Sequence, residues 1–291
     1  PETDTGFWAV TRQKVLDFIS KSPLLFSSAE KSCLPWESAP DRVVLMRQQL
    51  INMDPPQHLK YRRLVRNAFT PKKVDGYEAR FRDIAKSIVE KAVRGGECEF
   101  VELALAHRDN PQDDIVHVLL NGTVEDEPLT DEEFCHFFLM LMVAGNETTR
   151  TVTSQGMRLL MEHPEQYQML VDNPDLLEDA IEEILRYDPA IIAFRRTAMD
   201  DVELGGQQIK KGDKVHLYYA AVNSDEDVFS DGDTFDITRQ QREDVKNSHR
   251  AFGIGEHFCM GSHLARLELK VIFEEILKHI RNPRLKGDIN W

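Results

Sequence analysis

The chain has 291 residues, of which 41% are hydrophobic, and this is enough for one substantial core or two modest ones. Its formal net charge of −14 argues against nucleic acid as a general partner and favours solubility. The longest apolar run, Phe137 to Gly145, is far shorter than the ~20 residues of a membrane-spanning helix, so no span is expected.

The pattern of the chain predicts helices joined by short strands, with no internal repeat. In chain order, the predicted elements are a strand Phe7–Val10, helices Thr11–Ser20, Pro56–Ala68, Asp75–Arg94, Asp113–Leu120, Thr130–His163 and Asn173–Tyr187, hairpins within Glu203–Leu217, and a helix Ser262–Ile280.

Several of these helices carry end signals. Asp75 is a predicted N-cap for a helix that ends at Gly95-Gly96. Thr130 with Glu133 predicts a capping box at the start of a long helix. Because the middle of that helix is apolar all round, we expect it to lie buried at the centre of the fold.

One segment concentrates the chemistry of the chain, the loop Phe252-Gly253-Ile254-Gly255-Glu256-His257-Phe258-Cys259-Met260-Gly261. Its glycines let the backbone turn and pass close to a flat ligand. A helix is predicted to begin just after Cys259, and a helix N-terminus beside a sulfur favours the thiolate. A thiolate held in this way is a strong single ligand for an iron whose other ligands come from a macrocycle.

Other interpretations of this loop must be weighed. A zinc site is the sharpest alternative, because His249, His257, Cys259 and His263 are close in sequence, but there is no C-x-x-C pair. A phosphate-binding loop lacks the required spacing and lysine. The remaining cysteines, Cys33, Cys98 and Cys135, are expected to be small buried apolar residues. Their irregular spacing, without a signal peptide, indicates a reducing, cytoplasmic compartment.

The long helix is interrupted by Ala144-Gly145-Asn146-Glu147-Thr148-Thr149. Glycine within a helix costs about 1 kcal/mol relative to alanine, and buried polar groups cost more unless they are hydrogen-bonded. Such a segment indicates function, although a Ser/Thr kink with a surface glutamate is the alternative.

The Cys259 loop resembles the haem-ligand loop of the cytochromes P-450, in which a cysteine thiolate is the axial ligand. Further motifs follow the family's order from Asp54 to Glu268. The resemblance implies a mainly α fold with a small β region, in which haem b lies between the long central helix and the helix after the Cys259 loop. Residues 1–291 are then expected to form a single domain.

The resemblance also implies roles for individual residues. Cys259 is the expected iron ligand. Thr148 is expected to hydrogen-bond iron-bound oxygen, and Glu147 to relay protons for O–O cleavage. The other expected haem contacts are Ala144, Gly145, Phe252, Gly253, His257 and Gly261, with His58, Arg62, Arg196 and His257 on the propionates.

Spacing along the chain supports two of these assignments and one further motif. His58 and Arg62 are four residues apart and share a helix face, although a solvated charge cluster is the alternative. Arg195 is the alternative to Arg196 as a propionate ligand, and the spacing to Asp201 and Leu204 favours Arg196. Glu183, Arg186 and Arg239 resemble the family's E-x-x-R motif with its third member, and we expect them to be structural.

The implied function is a monooxygenase, in which two electrons and two protons reduce O2 and one oxygen atom enters a C–H bond. The electrons are expected to come ultimately from NAD(P)H. Met140, Val143, Ile191, Ile192 and Phe194 are expected in the substrate pocket by position. The sequences of Leu141–Arg150 and Lys210–Val215 resemble those of bacterial family members that act on sterols, terpenoids or branched lipids.

A basic stretch without acidic residues stands out in this acidic chain, and by resemblance it lies on the cysteine side of the haem. We expect a ferredoxin-type electron donor, with its reductase, to dock there, because charge complementarity speeds encounter. A solvated helix face is the alternative. The docking residues expected are Lys60, Arg63, Arg66, Lys72 and Lys73.

The family's lid helices have no counterpart between residues of about 104 and 108, where Glu99–Ala106 leads directly into Asp113–Leu120. Both ends also look short, so we expect the working protein to contain further residues. A peroxide-driven peroxygenase and a non-catalytic haem sensor remain alternatives. The first would not need Glu147 and Thr148, and the second fits a missing pocket roof.

Overall fold

The computed structural model describes residues 6–95, 123–125 and 127–285. Its helices are α1 Gln13–Ser20, α2 Pro40–Met46, α3 Gln57–Arg66, α4 Pro71–Asp75, α5 Glu78–Gly95, α6 Asp131–Glu162, α7 Pro164–Asp172, α8 Leu177–Tyr187, α9 Tyr219–Val222, α10 Val245–Ser248 and α11 Ser262–His279. Its strands are β1 Trp8–Val10, β2 Phe26–Ser27, β3 Thr123–Val124, β4 Glu127–Pro128, β5 Ala193–Ala198, β6 Val202–Leu204, β7 Gln207–Ile209 and β8 Lys214–Tyr218. The predicted mainly α fold with a small β region is confirmed.

The main sheet has the strand order β1-β8-β5-β2. Strand β8 pairs parallel with β1 and antiparallel with β5, so residues distant in sequence meet in one sheet. The predicted hairpin is present as β6 and β7, joined by Gly205 and Gly206. Both glycines have positive φ, +59° and +75°, as a tight two-residue hairpin turn requires.

The largest core forms where the carboxyl half of α6 packs against α8 and α11. Gly156 of α6 makes this close approach possible, because a Cβ there would lie 2.8 Å from Cζ of Phe273 and 3.0 Å from Cδ1 of Ile184. Both neighbours are fully buried. The long central helix is therefore held through its second half.

The first half of α6 corrects one expectation. The capping box of Thr130 and Glu133 is present, but the apolar middle of the helix is not buried as expected. Leu139 is 55% exposed and Val143 is 56% exposed. The composition of a helix shows which side chains are apolar, whereas burial depends on which other elements cover them, and the main packing contacts of α6 lie in its second half.

Two other expectations are also wrong. Asp75 is not an N-cap, because it ends α4, and α5 begins only at Glu78. Cys135 is exposed, whereas Cys33 is buried as expected. The segments Glu99–Ala106 and Asp113–Leu120, together with Cys98, lie outside the described residues. Over the part of the chain that is described, no helix combines the length and the apolar character needed to cross a membrane.

Candidate haem site

The Cys259 loop is closed by main-chain hydrogen bonds before α11 begins. The Cys259 N–H donates to the Phe252 carbonyl at 2.9 Å, and the Phe258 N–H donates to the Gly255 carbonyl at 3.1 Å. Gly253 and Gly255 have φ of +70° and +77°, a region that L side chains rarely adopt. The loop therefore requires glycine at these two positions and fixes the thiol at the start of a helix.

The surroundings of the Cys259 sulfur act in opposite directions on its charge. Burial raises the pKa of the thiol, because a buried thiolate loses its hydration. The Gly261 N–H and the positive charges of Arg62 and Arg266 lower the pKa in return. A bound metal cation would favour the thiolate further, so this sulfur suits coordination.

Four basic side chains form a cluster beside the loop: His58, Arg62, Arg196 and His257. The rings of His58 and His257 lie 4.1 Å apart. Arg62 donates to the carbonyl oxygen of Phe258, which brings α3 to the cysteine loop. Among the described residues none of the four is ion-paired with a carboxylate.

The pKa values of the two histidines are lowered first by burial and then by the neighbouring positive charges. Burial and the neighbouring arginines lower the pKa of His58 to about 4. Burial, Arg196, His58 and Arg62 lower the pKa of His257 to about 2. The buried Nδ1 of His58 has no hydrogen-bond partner among the described residues. A buried positive region with an open nitrogen suits an anionic group.

The adjacent arginines of β5 point to different surroundings, because successive residues of a strand lie on opposite faces of the sheet. Arg196 acts on the pKa values of His58 and His257. Arg195 donates to the carbonyl oxygens of Lys31 and Ser32 instead. Its side chain is therefore engaged in holding the chain before α2, while Arg196 belongs to the basic cluster.

The expected oxygen-activating residues lie together on α6. Thr148 Oγ1 donates to the Ala144 carbonyl at 2.6 Å, and Glu147 pairs with Arg150 at 2.6 Å. No atom lies within 4 Å of a Cβ placed on Gly145, so this turn presents open backbone. Helix α6 continues through these residues as an α-helix, and the Thr148 hydroxyl bonds within it.

The five expected pocket residues do not form one cluster. Met140 packs with Tyr61 and Phe137, while Ile191 and Phe194 pack against the sheet. Val143 is 56% exposed and Ile192 is 63% exposed. The structure thus places these apolar side chains on α6 and in and before β5, where they pack in different clusters.

The three residues expected to be structural are in mutual contact. Arg186 donates to both carboxylate oxygens of Glu183 at 2.7 and 2.8 Å. Arg239 donates to the same carboxylate at 3.3 Å. All three side chains are at most 1% exposed, and both guanidinium groups also bind main-chain carbonyls around Gly232 and Thr234.

A family model described as Cytochrome P450 matches residues 98–175 and 166–282 of this chain. Linalool 8-monooxygenase of Pseudomonas putida is 31% identical over 359 aligned positions, which cover 98% of this chain and 86% of that protein. Steroid C26-monooxygenase of Mycobacterium tuberculosis is 33% identical, over 97% of this chain and 78% of that protein.

Solved structures agree with these relatives. CYP108D1 of Novosphingobium aromaticivorans matches with a TM-score of 0.83 and 26% identity, over 97% of this chain and 83% of that chain. A Mycobacterium marinum cytochrome P450, CYP268A2, in complex with pseudoionone, matches with a TM-score of 0.80 and 32% identity, over 96% of this chain and 82% of that chain. This chain belongs to the cytochrome P450 family. It is a haem-thiolate monooxygenase, an oxidoreductase that uses O2.

The residues present fit the haem of a cytochrome P450. Cys259 offers one sulfur at the end of the loop. Arg62 and Arg196 offer cations without carboxylate partners among the described residues, beside the neutral rings of His58 and His257. Two propionates would supply the missing negative charges, and one could accept from Nδ1 of His58. The zinc alternative finds no support, because no group of three metal-ligating side chains occurs in the described ranges.

Sequence reasoning missed several residues of this cytochrome P450. The hydroxyl oxygen of Ser28 lies 3.4 Å from His257 Nε2. Glu268 of α11 hydrogen-bonds Thr149, and burial raises the pKa of its carboxyl to about 7. Glu182 binds both His249 and Arg266. The adjacent glutamates at 182 and 183 were the available signal, since a charged pair on the buried face of a helix demands partners.

Proposed function

We propose that this cytochrome P450 hydroxylates a terpenoid, sterol or branched lipid with electrons from an acidic ferredoxin-type donor. The observation that carries the proposal is the Cys259 thiol just before α11, beside a basic cluster without carboxylate partners in the described part of the chain. Haem, when bound, supplies the redox-active iron at which O2 is activated.

In this proposal Cys259 holds the iron, while His58, Arg62, Arg196 and His257 hold the propionates. The reduced protein with bound carbon monoxide should show the absorption band typical of thiolate ligation. Cys259→Ser should lose that band, whereas Cys33→Ser, the same change at a buried cysteine outside the loop, should keep it. A histidine-type band in fresh wild-type protein would contradict the assignment.

Thr148 and Glu147 are proposed to move protons on the α6 side of the site. For this role, Thr148 Oγ1 must turn from the Ala144 carbonyl and Glu147 must leave Arg150. We expect Thr148→Ala to consume reductant with little product. Thr153→Ala is the matched control, because Thr153 makes the same kind of bond to Thr149, at 2.8 Å, but lies in the core.

The outcome of that experiment also separates the proposal from its alternatives. Undiminished coupling in Thr148→Ala would contradict the proton role. Turnover driven by hydrogen peroxide, but not by a reduced donor, would favour a peroxygenase. Wild-type protein that shows no spectral response to any substrate would favour a haem sensor.

The substrate class rests on the relatives and on the apolar candidates Met140, Val143, Ile191, Ile192 and Phe194. The two relatives are named for linalool and steroid oxidation, and a third matched protein holds pseudoionone. Titration with linalool, pseudoionone and a steroid should shift the Soret band as the iron loses a water ligand. A response only to polar compounds would contradict the proposal.

The donor is proposed to dock on exposed basic residues of α3 and α4. Arg63, Arg66, Lys72 and Lys73 are exposed, and Lys60 is ion-paired with Glu125 at 2.7 Å. Arg66→Glu should slow reduction by an acidic ferredoxin and weaken its salt dependence. Lys211→Glu, an exposed change on the β6–β7 side, should leave the rate unaltered.

We also propose a single domain in a cytoplasmic protein, where NAD(P)H is available to the donor's reductase. The family's lid helices are proposed to be missing from this chain between about 104 and 108. The match to linalool 8-monooxygenase supports this, because its aligned length exceeds the 291 residues of the chain. Intact mass spectrometry of the protein from its natural source should give more than 33.5 kDa, and an equal mass would contradict the proposal.

A further inference from the structure

Glu182 is a buried carboxylate next to the E-x-x-R glutamate on α8, yet it serves a separate network. It is 5% exposed. Arg266 of α11 donates to both of its oxygens, at 2.6 and 2.9 Å. Such a two-point pair fixes the orientation of the guanidinium group as well as its position.

His249 supplies a further hydrogen bond to the Glu182 carboxylate. The Ala251 N–H donates to His249 Nδ1 at 3.1 Å, so the neutral ring carries its proton on Nε2. Nε2 lies 3.0 Å from Glu182 and donates to it. The segment before the Cys259 loop is thereby attached to α8.

Arg266 carries the connection to the cysteine. Its guanidinium carbon lies 4.5 Å from the centre of the Phe252 ring, a cation–π arrangement. The carbonyl of Phe252 accepts the hydrogen bond of the Cys259 N–H.

We propose that Glu182, His249 and Arg266 are positioning residues that hold Phe252 and set the charge next to the Cys259 sulfur. Glu182 balances the charge of Arg266, and this balance sets how strongly the thiolate donates electrons to the iron. The inference rests on the proposed thiolate ligation of haem. It assigns to three residues outside the ligand loop an influence on the reduction potential.

The experiment measures the reduction potential of the haem iron in loaded protein. Glu182→Gln leaves Arg266 unbalanced, and a positive charge near the iron favours the incoming electron, so the potential should rise. Arg266→Gln leaves Glu182 unbalanced, so the potential should fall. The double variant should return close to the wild-type value.

Matched controls come from the same pair of helices. Glu178 of α8 pairs with Lys270 of α11 on the exposed side. Glu178→Gln and Lys270→Gln change the same charges on the same elements, and we expect both to leave the potential unshifted. A role of Glu182 and Arg266 in stability alone would shift both single variants in the same direction or not at all, and that result would overturn the proposal.

A second variant and a spectrum of the wild-type protein cover the cases in which a variant does not hold haem or the thiolate is not the ligand. Where Arg266→Gln fails to hold haem, Arg266→Lys retains the charge without the planar fork and should keep the potential near that of wild type. An unchanged potential in Glu182→Gln would then overturn the proposal. Failure of the thiolate ligation itself is seen separately, as absence of the thiolate-type carbon monoxide band in wild-type protein.

Discussion

Replacing Gly156 with alanine adds one methyl group where α6, α8 and α11 meet. The new Cβ would lie 2.8 Å from Cζ of Phe273 and 3.0 Å from Cδ1 of Ile184, each of which is 1% exposed. Overpacking a core in this way costs about 1–3 kcal/mol. Alanine regains roughly 0.5–1 kcal/mol as a better helix former. We therefore expect a net loss of about 1 kcal/mol in the free energy of unfolding.

Urea unfolding of haem-free protein, followed by circular dichroism, measures this loss. Gly145→Ala is the control on the same helix, because a Cβ there meets no atom within 4 Å. It should stabilise the helix by up to about 1 kcal/mol. Equal or greater stability of Gly156→Ala relative to wild type would refute the reasoning, since it would mean that α8 and α11 yield to the methyl group without cost.

Three further predictions concern stability. Glu183→Gln should destabilise the fold by about 3–5 kcal/mol in urea unfolding, because it removes the counter-charge of the buried Arg186 and leaves the buried Arg239 with Glu243 alone; a loss below about 1 kcal/mol would contradict this. Glu268→Gln should flatten the dependence of stability on pH, because the fold raises the pKa of Glu268 to about 7 from 4.5. As the pH rises through that range, wild type should lose up to about 3 kcal/mol of stability relative to the variant. Parallel pH profiles of the two proteins would refute the shift. Gly255→Ala should lower the thermal midpoint of unfolding more than Gly206→Ala does. Both positions have positive φ, but only at Gly255 would a Cβ collide with the Ser20 carbonyl. Equal decreases in the midpoint would show that the collision is relieved.

The parts of the fold that the sequence predicts correctly are those set by short-range contacts. Thr130 and Glu133 cap α6 within one turn, and Gly205-Gly206 join two neighbouring strands. Local steric and hydrogen-bonding rules decide both. The burial of α6 could not be predicted in the same way, because it depends on partners from elsewhere in the chain.

The candidate site shows the same division. The glycines and the cysteine of the ligand loop are adjacent in sequence, and their pattern indicated the site. Glu182 is 67 residues from His249 and 84 residues from Arg266, so the adjacent glutamates at 182 and 183 could mark the position but not its partners. The roles of the predicted site residues stay predictions, although the structure brings His58 and Arg196 near His257.

The loop between Phe252 and Cys259 is closed by main-chain hydrogen bonds of its own. Because these bonds join only groups of the chain, they restrict the conformational freedom of the loop and so reduce the entropy that it would lose on binding haem. A ligand that is already rigid gives up little freedom on capture, and this increases affinity without any additional contact. The same rigidity narrows the range of macrocycles that the sulfur can meet at bonding distance, so one loop contributes both to tight retention of haem and to selection against cofactors of another shape.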